Sequence, residues 1–329
     1  MKISAKPLFD SHPSSTFHFN WGDLSQDSFV DLLDQQKAVL LRCDDKPLST
    51  EDFGKLVTSF NLEYYPYVGG AAPRTIIPVS AGKDIVFTAN ERWVVGVKCK
   101  EIFETKKRPS DVACWPSNPL AYYLGVNPIS PPQEPIPFHH ELAQTPKPPE
   151  YIFFYCDTPP VEGGETPIID STLVYRFAKE NHPAFIKKLA QHGARYIRTL
   201  PAQDDPLSPI GRSYKNTWHV QTPDELNDKL SKIEGCSWEW KEDGSVRVTT
   251  EAVPALRLVG EHHQNQVFQH TFANSIVAAF LGWQDSRNDR KESLRFGNMD
   301  RMPEDVLESI AAFMQEHRVL HKWEKGDIM

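Results

Sequence analysis

An α+β fold built on an antiparallel β core, such as a jelly roll, is what this sequence predicts, and three observations lead there. Apolar runs of strand length alternate with several capped helical stretches. Proline is abundant, 27 in 329 residues with only 17 glycines and no repeat period, which points to rigid loops between short elements rather than long bundled helices. No βαβ alternation, G-x-G-x-x-G or G-x-x-x-x-G-K-[ST] occurs, which argues against a dinucleotide or P-loop fold.

The elements follow in order. Apolar residues at helical spacing predict a helix over 28–36, leading into a buried strand at 38–41. Ser49 or Thr50 caps a second helix to about Phe60, with Glu51 and Asp52 in its first turn. A loop of small residues, 64–74, ends at Arg74. The stretch 92–130 is basic around 98–108 and aperiodic, and is expected to be an insertion or disordered loop within a single domain spanning 1–329. Beyond it, 151–156 reads as a fully apolar strand and 166–170 as another. Ser171 is the expected cap of the next helix, and a further helix over 184–192 stops at Gly193. The capping box that starts at Thr222, with Pro223 at the first helical position, opens a helix to about Ile233. Alternation over 238–250 around Asp243 and Gly244 predicts a hairpin, followed by strands at 255–259 and 266–272. Met302, Pro303, Glu304 and Asp305 open a last helix that runs to about Arg318, and a turn at Gly326 and Asp327 follows.

Composition narrows the function classes. A net charge of −8 without a Lys/Arg block makes nucleic acid or an anionic membrane a poor partner. Five scattered cysteines with no CxxC predict reduced thiols, and no apolar leader is visible after Met1, so a cytoplasmic protein is expected. The longest apolar stretches fall far short of the roughly 18 residues a membrane span needs.

The main candidate for chemistry is 137–141, PFHHE. In an extended segment residues i and i+2 share a face, so His139 and Glu141 would present an imidazole and a carboxylate together. Those are two of the three ligands of a 2-His-1-carboxylate iron site. Spacing alone leaves surface or core histidines as the alternative. No HExxH accompanies the pair, which weighs against a zinc hydrolase. Further along, GGET at 163–166 is a glycine turn that delivers Thr166 to the mouth of a strand, where its hydroxyl can meet a ligand carboxylate. An ordinary hairpin turn is the other reading.

Together, FHHE at 138–141, FFYC at 153–156 and GGETP at 163–167 resemble the taurine-dioxygenase/clavaminate-synthase-like family of Fe(II)- and 2-oxoglutarate-dependent oxygenases, the plant clavaminate-synthase-like proteins above all. Supporting blocks are YPYVGGAAPR at 65–74, FTANE at 87–91, SPIGR at 208–212, NSIVAA at 274–279 and RND at 287–289. The similarity covers nearly all of 20–329 outside the insertion.

The resemblance implies a double-stranded β-helix with flanking helices. Fe(II) would be held by His139, Glu141 and a later His. 2-Oxoglutarate would be gripped at its far carboxylate by Thr166 and an Arg. O2 would be consumed as a small-molecule substrate is hydroxylated or desaturated, with Arg74 and Asn90 at the substrate mouth. In that family the strand entered from the Gly-Asp turn and its sequel carry the later His and the Arg. This sequence stops at Met329, so the fold is expected to lack those C-terminal strands. A catalytically inactive relative is therefore the alternative function. His321, His262, His263 and His270 are expected to be core or solvated residues.

Overall fold

A computed structural model describes residues 16–19, 38–43, 46–60, 62, 76–77, 85–86, 138–140, 149, 151–159, 165–205, 208, 210–259, 265–268, 285–289 and 291–329. The helix expected over 28–36, the loop 64–74 and the stretch 92–130 lie outside them. Within them the protein is α+β, with antiparallel pairing in all but one strand pair.

The largest sheet has the order β11-β6-β8-β7, all antiparallel: β6 (Ala194–Leu200), β7 (Ser237–Trp240), β8 (Val246–Thr249) and β11 (Leu294–Phe296). The predicted hairpin is β7–β8. Gly244 turns it at φ 77°, and the Asp243 carboxylate accepts the Ser245 N–H at 2.9 Å. β6 is buried along nearly its whole length. Sequence reading passes over it because Arg195 and Arg198 interrupt its apolar run. Both arginines are absorbed by backbone carbonyls, Arg195 by those of Gly235, Thr250 and Gly297, Arg198 by those of Ile210 and Arg212.

Three helices pack beside this sheet. α2 (Ser171–Asn181), α3 (Pro183–His192) and α6 (Glu304–Glu316) bury Val174, Ala178, Leu189, Ile310 and Met314 against Tyr196 and Phe296. Helical spacing of the apolar residues selects these faces. Asp170, not Ser171, caps α2: its carboxylate accepts Thr172 N–H at 2.8 Å, and Ser171 is the first helical residue. α3 starts on Pro183 and ends at Gly193, φ 66°. A second cluster, Leu200, Tyr214, Leu226, Leu230, Val246 and Val248, joins α4 (Tyr214–Trp218) and α5 (Pro223–Ser231) to the hairpin. α5 is capped by Thr222, whose Oγ1 accepts Glu225 N–H at 3.2 Å, while the Glu225 carboxylate takes the Gln221 N–H at 2.8 Å. That reciprocal bond falls one residue before its place in a standard capping box. The helix stops at Ser231, two residues short of expectation.

A separate junction gathers distant parts of the chain. α1 (Thr50–Ser59) carries the expected Ser49 cap, with a full Ser49–Asp52 capping box. It lies over β2 (Leu40–Cys43), which pairs in parallel with β1 (Thr16–Phe19). Ile328 bridges Leu41 on one side and Tyr155 on the other. Leu41 N–H donates to Ile328 O at 2.7 Å, Phe154 N–H to Met329 O at 2.8 Å and Cys156 N–H to Asp327 O at 2.9 Å. The segment 151–156 is thus extended, but its pairing partner comes from 327–329. Gly326 makes the preceding turn at φ 88°, as expected. Phe53 stacks on Tyr155 and Phe60 on Phe153, and Ile328, 1% exposed, fills the centre.

Shorter antiparallel pairs are β3 (Ile76–Ile77) with β4 (Ile85–Val86), β5 (Thr166–Ile168) with β12 (Val319–His321), and β9 (Leu256–Val259) with β10 (Asn265–Phe268). Cys43, Cys156 and Cys236 are free thiols. Burial, then the negative charges of Asp327 and Asp157, push Cys156 up to about 11, so it is protonated and inert at neutral pH. Among the described residues no helix is long and apolar enough to cross a membrane.

Candidate functional site

The segment 138–140 enters beside the start of α2. Phe138 packs against the main core. Two residues on, His140 Nε2 lies 2.7 Å from Ser171 Oγ, at the first position of α2. Burial, then the positive charges of Arg257 and His139, bring His140 down to about 4, so it is neutral at physiological pH and serves as a hydrogen-bonding strut. His140 forms a β-bridge, which marks the backbone as extended. His139 is half-buried. Phe138 and His140 are thus committed to the core and to the Ser171 contact. Glu141 lies outside the described residues, as do Arg74 and Asn90.

Thr166 opens β5 and pairs with His321 in the β5–β12 register. Trp323 Nε1 donates to Thr166 Oγ1 at 2.7 Å. An indole nitrogen has one proton and no lone pair to offer, so in this contact the Thr oxygen accepts. The Trp323 ring meets His321 edge to face, centroids 4.6 Å apart at 81°. His321 is 6% exposed, and its Nε2 stands 3.5 Å from Asp327 Oδ2 without hydrogen-bond geometry. Asp327 is gripped by Arg42 through Nε at 2.8 Å and Nη2 at 3.1 Å, and it also accepts Glu324 N–H at 2.8 Å. Burial would raise the Asp327 pKa, but the pull of His321, Arg42 and the Glu324 amide holds it below the usual carboxylate range.

The core reading of His321 agrees with its burial. Its place opposite Thr166 and against Trp323 was not foreseen, and neither were Trp323 and Arg42. A signal existed: His321 and Trp323 stand two apart just before the Gly-Asp turn, the spacing that puts side chains on one face of a strand.

Two of the blocks behind the resemblance come together against β6. Arg287 bridges Asp285 at 2.6 Å and Asp205 at 2.7 Å, and Ser208 Oγ donates to Asp285 at 3.0 Å. Asn288 accepts from Thr199 N at 2.7 Å and donates to Thr199 O at 3.2 Å. These are scaffold bonds, closing the backbone of β6 on the side where its pairing with β11 has ended.

As a donor set, a half-buried imidazole and a carboxylate two residues on suit Fe(II), which takes nitrogen and oxygen ligands. A hydroxyl whose oxygen already accepts from an indole suits the acceptor-only far carboxylate of 2-oxoglutarate. Among the described residues no three His, Cys, Asp or Glu gather as a metal-binding group. Of the remaining histidines weighed for a metal, His262, His263 and His270 lie outside the described residues.

Residues 101–329 match the taurine catabolism dioxygenase TauD/TfdA family, a match that begins inside the stretch 92–130. A clavaminate synthase-like protein of Arabidopsis thaliana is 34% identical over 307 residues, covering 93% of this chain and 78% of its own length. A dapdiamide synthesis protein of Enterobacter agglomerans is 23% identical over 196 residues, 58% of this chain and 56% of that protein.

Proposed function

The chain belongs to the TauD/TfdA family of dioxygenases, and from that membership we propose that it is a non-haem Fe(II)- and 2-oxoglutarate-dependent dioxygenase. It oxidises a small molecule, by hydroxylation or desaturation, on a jelly-roll frame that forms one domain across 1–329. The reading is supported by the family match over 101–329 together with the His139-x-Glu141 pair in the sequence. In this reading His139 and Glu141 hold the metal. Iron in such a set keeps coordination positions open for a 2-oxo acid and for O2. Thr166 donates its hydroxyl proton to the far carboxylate of 2-oxoglutarate, and Arg74 and Asn90 line the substrate mouth.

The test is an anaerobic titration of the purified chain with Fe(II) and 2-oxoglutarate, followed by the weak visible charge-transfer band of the chelate and, once O2 is admitted, by succinate release. The unaltered chain is expected to give both signals, and His139→Ala to lose the band while keeping its far-ultraviolet circular dichroism. Folded protein that gives neither signal would overturn the reading in favour of a catalytically inactive relative.

A further inference from the structure

A threonine hydroxyl can donate one hydrogen bond and accept two, and it rotates to suit whatever is near. A carboxylate only accepts, so a threonine that serves a carboxylate must keep its proton for it. In Thr166 the competition is already decided. The indole N–H of Trp323 is a donor only, and at 2.7 Å it occupies one lone pair of Oγ1. The hydroxyl proton is left for a different partner. An oxygen that accepts also polarises its own O–H, which strengthens the bond that O–H then makes.

The indole is itself held in place. Thr166 and His321 are register partners, and Trp323 stands two residues beyond His321, a diagonal neighbour within reach of an aromatic side chain. The edge-to-face contact with buried His321 fixes the ring plane. Arg42 clamps Asp327, which holds the turn that follows.

We propose that Trp323 is a positioning residue for the cosubstrate, fixing the Thr166 hydroxyl as a donor to the far carboxylate of a 2-oxo diacid. The inference rests on the reading of Thr166 as a cosubstrate contact and adds what sets that contact's polarity. It makes Trp323 a determinant of selectivity for diacids over 2-oxo monoacids.

Calorimetric titration under anaerobic Fe(II) tests it with two probes, 2-oxoglutarate and 2-oxopentanoate, which lacks the far carboxylate. Trp323→Phe keeps an aromatic ring beside His321 and removes the N–H together with the five-membered ring that carries it. It should weaken 2-oxoglutarate about 5-fold, the equivalent of one net hydrogen bond, and leave 2-oxopentanoate unchanged. In a Thr166→Val background the same change should cost nothing further. A signal independent of ring replacement is the indole N–H resonance. Of the eight tryptophan signals, one should be moved by Thr166→Val and by 2-oxoglutarate, and not by 2-oxopentanoate. Equal weakening of both ligands, or no weakening of either, would overturn the proposal while leaving the dioxygenase reading intact. Failure of the unaltered chain to bind 2-oxoglutarate at all would overturn that reading and the proposal with it.

Discussion

Removing either end of the Arg42–Asp327 pair should have unequal consequences, and the structure says which end costs more. Asp327→Ala deletes two charge-assisted bonds to Arg42, at 2.8 and 3.1 Å, and the bond from Glu324 N–H at 2.8 Å. At about 1.5–3 kcal/mol for each bond to a charged group, the gross loss of the three is roughly 4.5–9 kcal/mol. Arg42, however, keeps a quarter of its side chain in water and has the Glu324 carboxylate at 2.8 Å, so the guanidinium is not stranded. We expect a net loss of about 3 kcal/mol, a fall of roughly 6–12 °C in Tm. Arg42→Leu is the harsher change. It leaves a carboxylate that is 2% exposed without its main countercharge, and it should cost about 4 kcal/mol. Replacing both residues with leucine should cost less than the sum of the two single changes. Urea unfolding at pH 7, read by circular dichroism, measures all three. Asp327→Ala losing under about 1 kcal/mol, or costing more than Arg42→Leu, would refute the reasoning. The pH dependence follows with its sign. The folded-state pKa of Asp327 lies below the ordinary 3.8, so the pair's contribution is fully present above that value. It is lost as pH falls through the folded pKa. Asp327→Asn should lack that acid limb.

Gly193→Ala should destabilise by about 3 kcal/mol in the same assay, because φ is +66° and a Cβ would sit 2.4 Å from Val253 O, the acceptor of Ala194 N–H. A cost under about 1 kcal/mol would mean the α3–β6 turn relaxes freely. Thr222→Ala should cost about 1 kcal/mol by removing the Oγ1 acceptor at the start of α5, and Thr222→Ser should restore most of it.

Local chemistry was the legible part of this fold. The caps at Ser49 and Thr222, the stop at Gly193 and the turn at Gly244 each depend on a few neighbouring residues, and each appears where the sequence places it. The misplaced cap, Ser171 for Asp170, is a choice between adjacent polar residues that only the backbone bend decides. β6 was hidden because its two arginines are satisfied by carbonyls from other parts of the chain. The segment 151–156 reads as a fully apolar strand, yet only the structure shows that what pairs it is 327–329. At the candidate site, residue types were readable and relations were not. His139 and Thr166 stand out by motif, but the Trp323 bond to Thr166 crosses 157 residues and exists only in the β5–β12 register.

The junction at Ile328 has a kinetic corollary. Its Arg42–Asp327 tie joins residues 285 apart, and closing a loop of that length costs about 5 kcal/mol of chain entropy beyond a constant. The β7–β8 hairpin closes over a handful of residues. During synthesis Leu41 and Tyr155 emerge long before the residue that bridges them, so the edges of β2 and 151–156 that meet Ile328 stay uncovered until residue 328 has emerged. Pulse-labelled hydrogen exchange during refolding should therefore protect the β8 amides first and those of Leu41 and Ile328 last. Simultaneous protection would show that the ends dock early, against this order. The edge of β2 that awaits Ile328 is sticky during that interval, which makes this junction a point at which a nascent chain is exposed to aggregation.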